Sequence, residues 1–207
     1  MSTSETRAIT RELKLHAALL GGVVALLWAI EILDVAVFRG WLDALGIRPR
    51  TIPGLVGIAL APWLHGGFAH LIANTVPFVA LGWLILLRKK SDLALVTLLS
   101  ALVGGLGVWL IGSSSSVHIG ASGVIFGYFG FLLLRGWFER SLLSIALSLV
   151  VGFVYGGMIW GVLPTRVGIS WEGHLFGFLG GVLAARLLGG RLRAQAAGAA
   201  GRSMSTR

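Results

Sequence analysis

Residues 113–135 read SSSSVHIGASGVIFGYFGFLLLR. The apolar part, from Gly120 to Leu134, is only 15 residues long before Arg135 stops it. A helix of that length covers about 22 Å, short of the ~30 Å hydrocarbon core of a bilayer. Four serines and His118 precede it. A short apolar helix with a polar lead-in has to begin below one membrane surface. Its lead-in then sits at membrane depth, where irregular backbone is tolerated only against protein or water. The stretch therefore predicts a water-filled pocket with Ser122 near its floor.

The flanks supply the membrane. Of the residues, 56% are hydrophobic and only 12% charged, with a mean hydropathy of +0.89. A soluble domain carries about 25% charged residues. Five further apolar runs surround the short one: Leu15–Val37, Phe68–Leu87, Leu93–Ile111, Leu142–Leu163 and Trp171–Leu188. The expected fold is an all-α, polytopic membrane protein, a six-transmembrane-helix bundle over residues 15–188. Residues 1–14 form a polar N-terminal segment without a signal-peptide pattern, so the first run is expected to remain as a helix. Residues 189–207, rich in Gly, Ala and Arg, are expected to be a disordered basic tail. The segment from Arg39 to His65 is broken by Pro49, Pro53, Gly54 and Pro62 and is expected to lie in the membrane interface.

Charge sets the orientation. The net charge of +9 sits in short clusters between apolar runs, a pattern of lipid topology rather than of nucleic-acid binding. With six spans, 13 of the Lys and Arg residues fall on the side of both termini and four (Arg39, Arg48, Arg50, Arg166) on the other. The positive-inside rule then places both termini in the cytoplasm and the pocket on the extracytoplasmic side of the cell (inner) membrane. The chain has no cysteine, which excludes disulfides, thiolate metal sites and a cysteine nucleophile.

Polar groups inside a bilayer are costly and mark function. Three sets share the outer half of the bundle. The second span opens with His65, His70 and Asn74, the last two one helical turn apart. The fourth opens with Gly120-Ala121-Ser122-Gly123, and the sixth carries Gly173-His174 with Gly177. A serine becomes nucleophilic when a base takes its proton, and His174 is the best candidate base. The oxyanion of an acyl-transfer intermediate needs donors, which Asn74, His70 and the Ser122 backbone N–H can supply. Gly123 with Gly127, and Gly173 with Gly177, form small-residue faces that let helices approach closely. His65, at the loop–helix boundary, reads as a support that pins loop backbone, and His118 as a loop residue.

These motifs, in this order on spans two, four and six, resemble the rhomboid family of intramembrane serine proteases, over roughly residues 15–188. The resemblance implies a Ser122–His174 dyad without a third acid and an oxyanion hole from His70, Asn74 and backbone. It implies that Phe126 packs its ring on His174. The Arg39–Pro62 segment would be the family's first loop, though without the Trp-Arg pair many members carry there, and Leu163–Trp171 the loop capping the site. The implied activity is endopeptidase cleavage of transmembrane-anchored protein substrates in the lipid bilayer, with no cofactor, no metal and no nucleic acid. Oligomeric state is not legible. The alternatives are a catalytically weak rhomboid-like membrane-protein binder and a small membrane transporter. A transporter should show repeat symmetry between its halves, and no convincing repeat is present.

Overall fold

The computed structural model describes residues 3–165 and 168–205, with side chains through residue 190. Arg166 and Arg207 of the charge count lie outside the described residues, as do the side chains of Arg191, Arg193 and Arg202. Seven α-helices follow one another: α1 (Thr3–Leu33), α2 (Ile52–Leu60), α3 (Phe68–Leu86), α4 (Lys90–Ile111), α5 (Ser122–Glu139), α6 (Leu142–Tyr155) and α7 (Trp171–Ser205). A π-helical turn, Asp34–Phe38, extends α1, and a 3-10 segment, Gly156–Val162, extends α6. The protein is an all-α polytopic membrane protein, with no β-strand among the described residues.

Among the described residues, five helices are long and apolar enough to cross a membrane: Thr3–Phe38, Phe68–Leu86, Lys90–Ile111, Leu142–Val162 and Trp171–Gly190. The sixth expected span, α5, is less apolar than these and forms the centre of the bundle. Tyr128, Phe129, Phe131 and Leu132 on it are 0–1% exposed. Arg135, which stops the apolar run, is buried one turn before the end of α5. Its guanidinium reaches Glu139 at 2.6 Å and Asp92 of α4 at 3.2 Å, and Glu139 also meets Arg88 at 3.3 Å. A charge withdrawn from water needs such partners, and here they tie α3, α4 and α5 together at one end.

Glycine decides how α5 seats against α7. A Cβ on Gly177 would overlap the Gly123 backbone, and one on Gly181 the Gly127 backbone. The two helices are therefore in backbone contact along a stripe of small residues, the packing by which helices associate in lipid. Gly181→Val is expected to be among the most damaging single substitutions, beyond about 4 kcal/mol. Gly22→Ala, where nothing lies within 4 Å, is the neutral control. Thermal unfolding in detergent, followed by circular dichroism, measures both; equal stability of the two variants would refute this packing.

The segment 39–65 is folded onto the bundle. Arg39 turns in the left-handed region (φ 55°), and Asp34 Oδ1 accepts the Leu42 N–H at 2.9 Å. Glu31 is buried beside the Gly67 backbone, where the start of α3 favours a carboxylate. Thr51 caps α2 by accepting the Gly54 N–H at 3.1 Å, and Trp109 Nε1 donates to the Thr51 carbonyl at 2.8 Å. At the other terminus α7 continues as helix to Ser205, where a disordered tail was expected from residue 189. The alanines and arginines there are strong helix formers.

Candidate active site

Each contributing residue stands at or near the start of a helix. The lead-in to α5 is held by α2 and its neighbours: Ile47 and His118 exchange backbone hydrogen bonds of 2.9 and 3.0 Å, and the Gly120 N–H donates to the Ala61 carbonyl at 2.8 Å. Gly120 has φ +113°, and a Cβ there would lie 2.7 Å from the His70 ring. Only glycine lets this backbone pass between Ala61 and His70. Ser122 follows as the first residue of α5. Its N–H is one of the first four of the helix, which have no intrahelical acceptor.

Ser122 Oγ lies 2.9 Å from His174 Nε2. His174 Nδ1 lies 2.9 Å from the Gly161 carbonyl oxygen, which can only accept. The Nδ1 proton is thereby assigned, and Nε2 is left with its lone pair toward the serine hydroxyl. No carboxylate meets Nδ1; Glu172, adjacent in sequence, does not reach it. The Phe126 ring stacks on the imidazole with centroids 4.0 Å apart and planes within 7°. Gly123 and Gly177 bring α5 and α7 close enough for the pair to meet, since a Cβ on Gly123 would already be 3.2 Å from the Gly173 carbonyl.

The α3 residues approach from the other side of Gly120. His70 Nδ1 accepts the Gly66 N–H at 3.4 Å, which leaves its Nε2 as the donor nitrogen, and this atom faces Gly120. Asn74 is 6% exposed, and its Nδ2 is buried without a hydrogen-bond partner, on the side of Gly120. A buried unsatisfied amide is costly, so it reads as a donor whose acceptor arrives with a reacting molecule. His65 lies against the Trp63 backbone, and its ring packs edge-on to His70 at 5.1 Å. Burial, then the neighbouring His70, push its pKa down to about 4, partly offset by the Trp63 backbone. His65 is thus a neutral packing element behind His70 at physiological pH.

Two contributors carried no signal of their own in the sequence. Gly161 belongs to no motif, yet its carbonyl orients His174. His118, read as a loop residue, places Nδ1 2.7 Å from Ser170 Oγ and Nε2 3.0 Å from Ser116 Oγ. Ser170 in turn accepts the Gly173 N–H at 3.3 Å. His118 therefore staples the loop before Ser122 to the loop before His174. Burial holds its pKa below the usual histidine range, opposed by Glu172. His118→Ala is expected to slow reaction of Ser122 with a small acylating probe about tenfold, with His118→Asn recovering part of it; the estimate rests on one lost neutral hydrogen bond, about 1 kcal/mol or slightly more. Unchanged labelling by His118→Ala would show that the staple does not position the pair.

The Rhomboid domain family matches residues 54–191. Protein Rv1337 of Mycobacterium tuberculosis is 46% identical over 173 residues, 80% of this chain and 72% of its own length. Protein ML1171 of Mycobacterium leprae is 43% identical over 183 residues, 82% of this chain and 72% of its own. RHOMBOID-like protein 5 of Arabidopsis thaliana is 32% identical over 128 residues, 58% of this chain and 39% of its own.

Proposed function

The chain belongs to the rhomboid family, and from that premise we propose that it is an intramembrane serine endopeptidase acting on transmembrane-anchored proteins. The carrying observation is the Ser122 Oγ–His174 Nε2 contact of 2.9 Å, with the unpartnered Asn74 amide beside the same loop. Ser122 Oγ attacks the scissile carbonyl carbon while its proton passes to His174 Nε2. The negative oxygen is met by the Asn74 amide, His70 Nε2–H and the Ser122 N–H. As the C–N bond breaks, His174 returns the proton to the leaving amine, and an acyl ester remains on Ser122. Water, deprotonated by His174, then attacks that ester, and its collapse regenerates the serine. The Gly161 carbonyl stabilises the imidazolium formed on the way, in the place an acid takes in a triad.

The active site opens to the extracytoplasmic side of the cell membrane, and both termini are cytoplasmic. This follows from the charge asymmetry of the loops. A continuous substrate helix shields its own carbonyls, so the substrate has to unwind at the scissile bond. Access past α6 suits this: Phe153 is 93% exposed, and nothing lies within 4 Å of the Cβ positions of Gly156 and Gly157. The test is labelling of the detergent-purified protein by a fluorophosphonate, with mass spectrometry of the modified peptide. One adduct, on Ser122 and absent in His174→Ala, is expected. A folded protein that takes no label under conditions that label another serine hydrolase would favour the rhomboid-like binder instead.

A further inference from the structure

A large cavity lies away from Ser122, in a cleft between α1 and α4. It measures about 950 Å³. Leu15, Leu19, Val23 and Leu27, one helical turn apart, line it from α1, and Leu93, Ala94, Leu98 and Ala101 from α4. Pro62 and Trp63 of the 3-10 turn line its opposite end, and Phe78, Val124 and Tyr128 line it from the core. α1 packs on α3, while α4 packs on α5 and α7, which leaves the cleft between them.

Its chemistry is graded along its length. The walls are apolar, and at the end nearest the N-terminus of α1 the lining finishes at Lys90. Lys90 Nζ contacts Glu12 of α1 at 3.0 Å and keeps 43% of its side chain exposed. Exposed Lys89 adjoins it, and exposed Arg11 stands one turn before Leu15. Arg7 and Lys14 add further exposed cations on the same end of α1.

We propose that this cleft binds an anionic glycerophospholipid, with acyl chain between α1 and α4 and headgroup phosphate at Lys90, Lys89 and Arg11. The cleft's volume of about 950 Å³ lies within the range of small-ligand pockets. Basic groups at the rim of an interhelical cleft are the feature by which membrane proteins select anionic headgroups.

The experiment uses the full chain in phosphatidylcholine nanodiscs containing a little phosphatidylglycerol with a photoactivatable acyl chain. Cross-linked peptides are mapped by mass spectrometry. Label is expected to concentrate on residues 15–27 and 93–106, and unlabelled phosphatidylglycerol should compete better than phosphatidylcholine. Lys90→Gln is expected to lower that headgroup preference about fivefold, the factor for roughly 1 kcal/mol per interfacial cation. Ala94→Trp, which places an indole in the cleft, should remove the label from both helices. Should that variant not fold, Lys90→Gln and the competition decide alone. Label spread over all lipid-facing helices, equal competition by phosphatidylcholine, or displacement by a transmembrane peptide would each overturn the proposal.

Discussion

Ser122→Ala is expected to lower turnover of a membrane-anchored substrate by on the order of a millionfold, to the background of the assay. Loss of the nucleophile or its base in a serine hydrolase has about that effect on kcat. His174→Ala should do the same, and the double variant should be no worse than either single one, because the two side chains act as one unit across their 2.9 Å contact. Expression and thermal stability should stay close to the parent, since Ser122 contributes one hydroxyl at a helix start. The measurement is cleavage of a fluorogenic transmembrane substrate by purified, reconstituted protein. Cleavage by Ser122→Ala at a tenth of the parent rate or faster would mean that the hydrolysis runs through some other group. Multiplying losses in the double variant would mean that Ser122 and His174 act independently.

Asn74→Ala is expected to cost about 100–1,000-fold in turnover, roughly 3–4 kcal/mol of transition-state stabilisation, with little change in apparent substrate affinity. The reason is the state of its amide before reaction: Nδ2 is buried and has no partner. It has an acceptor only when a negative oxygen forms over Ser122, so its removal should be felt in kcat and not in KM. Removing an unsatisfied buried amide also relieves a cost in the resting protein, so Asn74→Ala should melt no lower than the parent. A purely structural Asn74 would show the opposite: a lower melting temperature and a small effect on kcat. The His70 ring fills space against Gly120 and His65 as well as offering a donor.

Much of this was legible along the chain, because a membrane makes local sequence informative. Apolar length reports spans, and the Lys and Arg distribution carries the proposed orientation. The cost of polar groups in lipid singles out Ser122, His174, His70 and Asn74. The all-α polytopic class and the family resemblance follow from such local quantities, and glycine spacing in α5 and α7 marked the helices that touch. Tertiary structure decided what depends on rotation and partners far apart in sequence. The carbonyl of Gly161 meets His174 only because the end of the α6 span folds over α7. His118 finds Ser170 across 52 positions. Arg135, a stop signal by its sequence, is buried because α4 and α5 bring it Asp92 and Glu139. Backbone carbonyls and shared ion pairs leave no mark in residue type or period, since any residue supplies the first and either side of a helix can host the second. Hydrophobic length sets which segments enter the bilayer; close packing of glycine faces sets how they turn toward one another, and with it whether a serine and a histidine come within a hydrogen bond.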